Sequence, residues 1–193
     1  MERHDHSGIH QHFYYSDSAK EREAFLKKEF PSLQKYIYGK TVVDVGAGDG
    51  SVTRIIAEHA KKTYAIDVDK SSIDALRKNL GHIGSIYPKL ATADRIPLRS
   101  GSVDAVFSSA SFHHFPDGYI NEITRILKAN GVAIILDWKK HKAPLFMKQH
   151  HKLFSKKEVI TLFEKTGFSE LLVYDSSHYY MIVLQKESPA GEI

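Results

Sequence analysis

Val42-Val43-Asp44-Val45-Gly46-Ala47-Gly48-Asp49-Gly50-Ser51 decides the fold. Thr41 to Val45 is β-branched and apolar apart from one aspartate, as befits a strand buried in a parallel sheet. The alternating glycines that follow let a backbone turn sharply and let a ligand approach without meeting a Cβ. Val52, Ile55, Ile56 and His59 then fall at helical spacing. Strand, turn and helix in that order present the free N–H groups and partial positive charge of a helix N-terminus to whatever sits above the turn.

The alternation continues downstream. Thr63 to Ile66 reads as a second strand, and Ser71 with Asp74 as the cap of a helix carrying Ile73, Leu76 and Leu80. Ile86 to Ala93 and Val103 to Phe107 read as the third and fourth strands. Asp117 is expected to cap a helix with Ile120, Ile123, Ile126 and Leu127 on one face, and Asn130-Gly131 to end it. Val132 to Trp138 is the fifth strand; after a basic loop, Ser155 and Glu158 have capping-box spacing. Leu171 to Tyr174 and Tyr179 to Leu184 are separated by only Asp175-Ser176-Ser177-His178. That gap is too short for a parallel crossover, so the pair must be an antiparallel hairpin. Upstream, residues 1–17 read as an irregular arm. Ser18 with Glu21 opens a helix with Phe25, Leu26 and Phe30 as its buried stripe, and Pro31 stops it.

The expected architecture is α/β: a Rossmann-like three-layer sandwich whose mostly parallel seven-stranded sheet ends in an antiparallel hairpin. It is expected as one domain over 1–193, with an N-terminal arm and helix over 1–39 serving as a lid, a ligand-binding core over 40–186 and a tail over 187–193. Ligands of such sheets bind beyond the carboxyl ends of the strands where strand order reverses. Here the first and fourth strands should flank that crevice.

The 193 residues contain no cysteine, which excludes disulfides, thiolate metal sites and a cysteine nucleophile. No signal peptide is visible, and the longest apolar run, Val132 to Leu136, is far short of a membrane span, so a cytoplasmic location is expected. A net charge of +4 is too small by itself to argue for nucleic acid.

The glycine spacing speaks to the ligand. A dinucleotide fingerprint beginning at Gly46 would place its third glycine at Ser51, so that pattern is missed by one residue. Asp44 before the turn and Asp49 inside it would repel a pyrophosphate and favour a ligand bearing an ammonium group and a sulfonium. The bland alternative is a generic strand-to-helix turn. Asp67 closes the second strand, where a carboxylate can accept hydrogen bonds from ribose hydroxyls. Asp69 could instead start the next helix. Asp94 alone would read as a turn residue. As the last of three acidic strand ends, after Asp44 and Asp67, it suits an adenine amino group.

Taken in order, these pieces resemble the class I S-adenosylmethionine-dependent methyltransferases, in particular the small enzymes related to those of ubiquinone and menaquinone biosynthesis. The resemblance covers about residues 40–186. It rests on Val-Asp-Val-Gly-Ala-Gly-Asp-Gly at 43–50, Ile-Asp-Val-Asp at 66–69, Ala-Asp-Arg-Ile-Pro-Leu at 93–98, Ser-Val-Asp-Ala-Val-Phe-Ser-Ser at 102–109, Phe-His-His-Phe at 112–115, and Glu122 with Arg125-Ile126-Leu127-Lys128. Ala129-Asn130-Gly131 departs from the Pro-Gly-Gly common in the family. The resemblance implies S-adenosylmethionine as cofactor. Gly46, Ala47, Gly48 and Gly50 would line its methionine end and Asp44 would sit near its ammonium group. Asp67 would hold the ribose, Val68 would pack on the adenine, Asp94 and Arg95 would meet the adenine edge, and Ser108 and Ser109 would close the crevice beneath the sulfonium. His113 and His114 are the candidate general bases, with Tyr15, beside Tyr14, as second choice from the arm. No metal is expected; His4, His6, His10 and His12 read as unliganded or as part of a lid.

Absences narrow the activity. Ser108-Ser109-Ala110-Ser111 is not an Asn-Pro-Pro-Tyr-like run, which disfavours a resemblance to the amino-methylating DNA and protein-glutamine enzymes. The lack of cysteine removes cytosine-C5 and arsenic methylation. Methyl transfer to a small-molecule acceptor is the leading expectation. The alternatives are methylation of RNA or another macromolecule, a non-catalytic S-adenosylmethionine-binding protein and, last, a nicotinamide oxidoreductase. Between Lys139 and Lys157 the chain carries seven lysines, with His141, His150 and His151, and no acidic residue. This stretch reads either as a solvated loop or as a positive rim for an anionic acceptor.

Overall fold

In the computed structural model, which describes residues 7–188 and the side chains from Lys20 onward except Phe146 and His150, seven strands form a single sheet. They are β1 (Thr41–Val45), β2 (Lys62–Asp67), β3 (Ile86–Leu90), β4 (Val103–Ser109), β5 (Leu127–Trp138), β6 (Phe168–Asp175) and β7 (Tyr179–Lys186). Their spatial order is β3-β2-β1-β4-β5-β7-β6. β1 to β5 pair in parallel, and β7 runs antiparallel between β5 and β6. The order reverses between β1 and β4, so the crevice expected there exists. The helices are α1 (Ser7–Ile37), α2 (Ser51–Ala57), α3 (Lys70–Leu80), α4 (Tyr119–Ile126), α5 (Leu145–His150) and α6 (Lys156–Glu164). Among the described residues no helix is long and apolar enough to cross a membrane. Contacts divide the chain into two units, one up to Leu33 and one from Gln34.

Strand alternation sorts the core of the second unit. Val43, Val45, Ile66, Val106, Ile135 and Ile182 gather with Ile123 and Ile126 of α4 and Val159 and Phe163 of α6. Ala65 and Ile86 gather instead with Ile73, Leu76 and Leu80 of α3. At roughly 1.5–3 kcal/mol per fully buried large apolar side chain, these two clusters dominate the stability of the sheet.

Several local expectations are corrected. Pro31 lies inside α1, which runs on to Ile37. An interior proline costs about 3 kcal/mol, but Leu33 and Ile37 are both buried and continue the stripe of Leu26 and Phe30. Their burial offsets the cost at roughly 1.5–3 kcal/mol each. The same helix begins at Ser7, so residues 7–17 are not irregular; no proline interrupts them. Asp69, not Ser71, caps α3: its carboxylate accepts the Ser72 N–H at 2.9 Å and the Ser71 N–H at 3.3 Å. Gly118, not Asp117, precedes α4, at φ 91 and without a side-chain cap. Asn130-Gly131 does not end a helix; α4 stops at Ile126 and Asn130, at φ 58, sits in a register slip of β5 against β4. Asparagine tolerates the left-handed region, so the pair makes a bulge within the strand. The basic loop contains the short helix α5. The capping box of Ser155 and Glu158 is formed as expected.

Candidate active site

A cleft of about 430 Å³ opens at the carboxyl ends of β1 and β2, lined by Gly46, Asp67, Val68, Ser111, His114 and Phe115, with the 91–93 segment as a further wall. Its floor is tied together by Asp67, the last residue of β2. One carboxylate oxygen accepts the Gly48 N–H at 2.8 Å and the other the Asp69 N–H at 2.9 Å. Each oxygen keeps a second lone pair. Val68 beside it is 69% exposed, a bare apolar surface at the cleft's rim.

The glycines of the turn have separate tasks. Gly46 has φ 73, and a Cβ there would fall inside the Ser111 side chain. Ser111 closes on the turn because its hydroxyl donates to the Val45 carbonyl at 3.0 Å and lies 3.0 Å from the Ser108 hydroxyl. At Gly50 a Cβ would strike Leu76 and Leu80, so that glycine serves the packing of α3. A Cβ at Gly48 would meet no atom within 4 Å; its backbone faces open space.

The other expected residues are placed differently. Asp44 is not at a strand end. It lies within β1, and because Val43 and Val45 point toward α4 and α6 it points the other way, where the Thr53 hydroxyl of α2 donates to it at 2.6 Å. It is buried and braces the strand against the helix, and it does not line the cleft. β3 ends at Leu90, so Asp94 stands beyond the strand; it and Arg95 are exposed in a turn, and neither lines the cleft. Their segment is held from below. Glu122 accepts the Ile96 N–H at 2.6 Å, while Arg125 bonds Glu122 at 2.7 Å and the carbonyls of Leu98 and Ile96 at 2.9 and 3.0 Å. The Arg125 hydrogen bond holds the Glu122 carboxyl below its ordinary pKa of 4.5. Ser108 and Ser109 are buried, Ser108 against the Ser111 hydroxyl, and Ala47 is buried in the α3 cluster.

The two histidines occupy a 3₁₀ turn, Phe112–His114. An extended segment would send their rings opposite ways; the turn instead sets the rings 4.1 Å apart. His114 lines the cleft. Partial burial, then the neighbouring His113 and His151, push its pKa down to about 4, although the residue as a whole is exposed. His113 is buried, with Nδ1 at 2.9 and 3.0 Å from the two oxygens of Asp137. Asp137, missed in the sequence, is 2% exposed and also accepts the Trp138 N–H at 2.7 Å. The side chain of Tyr15, like those of Tyr14, His10 and His12, lies outside the described residues, as do His4 and His6 entirely. The basic stretch finds acidic partners outside itself. Lys139 and Lys156 pair with Asp175 at 3.0 and 2.5 Å, and Lys140 reaches Glu158 at 3.7 Å.

A sheet of this order, with a glycine turn bonded to the acidic end of β2 beside an open cleft, is the fold of the class I S-adenosylmethionine-dependent methyltransferases. More particularly, residues 43–135 match the family model described as a methyltransferase domain. The chain is 39% identical over 92 residues to an uncharacterized methyltransferase-like protein of Schizosaccharomyces pombe, covering 47% of this chain and 35% of that one. It is 29% identical over 119 residues to phosphoethanolamine N-methyltransferase 1 of Caenorhabditis elegans, covering 60% and 25%. It is 28% identical over 140 residues to the tRNA (carboxymethyluridine(34)-5-O)-methyltransferase ALKBH8 of Mus musculus, covering 67% and 20%. The chain thus spans little more than a third of the length of these relatives at most. Among solved structures, a SAM-dependent methyltransferase from Aquifex aeolicus superposes with a TM-score of 0.72 at 23% identity, over 85% of this chain and 88% of that one, and so shares the fold.

Proposed function

We propose that the protein transfers a methyl group from S-adenosylmethionine to a small-molecule acceptor. The observation that carries this reading is the cleft at the β1–β4 reversal, whose wall residue Asp67 holds the N–H of Gly48, a residue with no atom near the place of a Cβ. A nucleoside with an amino-acid tail fits these residues. The free lone pairs of Asp67 would take the ribose hydroxyls, the exposed Val68 the adenine face, and the Gly46–Gly48 backbone the amino-acid end. Asp94 and Arg95 would meet the adenine edge only by closing over the 91–93 wall. Asp44 supports the turn from behind and is assigned no ligand contact.

When bound, the cofactor supplies a methyl carbon already activated by its sulfonium. The chain's own residues then have to align the acceptor and exclude water. His114 is neutral at pH 7 and, with a pKa near 4, a weak proton acceptor; its place in the cleft wall makes it a contact for the ligand. The likeness to a phosphoethanolamine methyltransferase supports a small acceptor. The likeness to a tRNA methyltransferase favours a macromolecular one as the second reading. Against that reading, Lys139, Lys140 and Lys156 are already paired with Asp175 and Glu158. The test is transfer of labelled methyl from S-adenosylmethionine into an ultrafiltrate of small metabolites, with total RNA and total protein as parallel acceptors. Label confined to RNA or protein refutes the small-molecule reading.

A further inference from the structure

A second cleft, of about 310 Å³, adjoins the first; Phe115 lines both. Its walls come from the start of α4, the end of α6 and the segment between α5 and α6, with Phe154 and Leu162 as apolar surface, Lys152 and Lys165 as cations and Asp117 as a single carboxylate. Two buried polar atoms belong to its lining residues and have no hydrogen-bond partner among the described residues: Nε2 of His113, whose side chain is 2% exposed, and the hydroxyl of Tyr119, 7% exposed. A buried polar group left unsatisfied costs about 1–3 kcal/mol. Both atoms belong to residues of one cleft wall, and unpaired buried polar atoms of this kind call for a partner from the cleft side.

Their chemistry specifies that group. Both oxygens of Asp137 lie within 3.0 Å of His113 Nδ1, so Nδ1 carries the hydrogen and Nε2 is the nitrogen left to present a lone pair. The other groups around the ring are His114 at 4.1 Å and His151 at 5.5 Å between centroids, with Tyr119 and Lys152 across the cleft. Burial, helped by Asp137 and Asp117, pushes the Tyr119 phenol up, so it stays protonated and can donate. A single group that donates to one atom and accepts from the other is a hydroxyl.

We propose that the second cleft seats the methyl acceptor, and that this acceptor is a hydroxylated anion: its hydroxyl donates to His113 Nε2 and accepts from Tyr119, and its negative charge lies toward Lys152 and Lys165. The assignment as acceptor rests on the methyl-transfer reading; the binding chemistry does not. Asp137 is a positioning residue. It never touches the ligand and acts by fixing which nitrogen of His113 is bare.

Two titrations separate the readings. Calorimetry with S-adenosylhomocysteine tests the methyl-transfer reading alone; no binding to the wild type refutes it and with it the acceptor assignment. Nuclear magnetic resonance titration with 4-hydroxybenzoate and benzoate tests the cleft. The hydroxylated acid should bind roughly ten- to a hundredfold more tightly, the equivalent of the two hydrogen bonds its hydroxyl makes. It should also shift the ring resonances of His113 and Tyr119. The preference should shrink several-fold in Tyr119→Phe, which loses one of the two hydrogen bonds and keeps the edge-to-face packing on Phe112 at 4.8 Å and therefore the fold. Ring ¹⁵N shifts should show Nδ1–H at His113 in the wild type and a changed tautomer balance in Asp137→Asn. Equal affinities for the two acids, or a preference undiminished in Tyr119→Phe, overturns the proposal. So does a crystal in which one ordered water bridges the two atoms and neither acid displaces it.

Discussion

Replacing Gly46 by alanine should be among the most damaging single-methyl changes in this protein. The backbone there has φ 73, and an alanine in the left-handed region costs roughly 1–2 kcal/mol by itself. The added Cβ falls inside Ser111, whose hydroxyl is held by Val45 and Ser108, and Phe115 stands 3.5 Å away on another side. Ser111 cannot yield without breaking those bonds, so the overpacking adds about 1–3 kcal/mol. The expected loss is about 2–5 kcal/mol, read as a lower urea midpoint at unchanged slope. A double-mutant cycle isolates the steric part. In a Ser111→Gly background, Gly46→Ala should cost only the left-handed term, leaving a coupling of about 1–3 kcal/mol between the two sites. A Gly46→Ala protein within about 0.5 kcal/mol of wild type, or an equal cost in both backgrounds, would refute the packing described here.

Three further outcomes are expected. Asp67→Ala should fold but weaken S-adenosylhomocysteine binding by about 1.5–3 kcal/mol in calorimetry, the range for hydrogen bonds to a charged group; wild-type affinity in the variant would remove Asp67 from the site. Glu122 has a folded pKa depressed below 4.5 by its Arg125 bond, so its stabilisation is complete above that value and is lost as pH falls through the lower folded pKa. Glu122→Gln should therefore flatten the acid limb of a Tm-against-pH curve, and an unchanged limb would contradict the pairing. His114 should titrate near 4 by NMR, not near the ordinary 6.5. Between those values the unfolded chain binds a proton that the native site refuses, so stability should fall as pH drops through that window, and less so in His114→Gln.

The sheet was legible because its signals are local and redundant. Each buried strand is a short β-branched run, and the four residues between Asp175 and Tyr179 admit only a hairpin. Element ends were less legible, because competing residues of similar propensity lie side by side. Asp69 and Ser71 are both good caps, and only the tertiary position of α3 selects Asp69. Pro31 argued for a stop that the burial of Leu33 and Ile37 overrides. In the site, Asp67 and Val68 lie where the strand–turn logic puts them, at the cleft. Asp44 does not, because strand alternation turns it toward α2, a consequence that period two already implies. Asp137 went unread although, like Asp44, it is a carboxylate one residue short of the end of an apolar strand. Its partner, His113, comes from a different strand end, and that juxtaposition is made only by the pairing of β4 with β5.

The most direct test of the central claim is calorimetric titration of the purified chain with S-adenosylhomocysteine and, separately, with NADH. The account predicts saturable one-to-one binding of S-adenosylhomocysteine, lost on Asp67→Ala, and a rise in melting temperature that grows with ligand concentration, while NADH gives neither. Binding of NADH, with no heat and no thermal shift from S-adenosylhomocysteine, would contradict it.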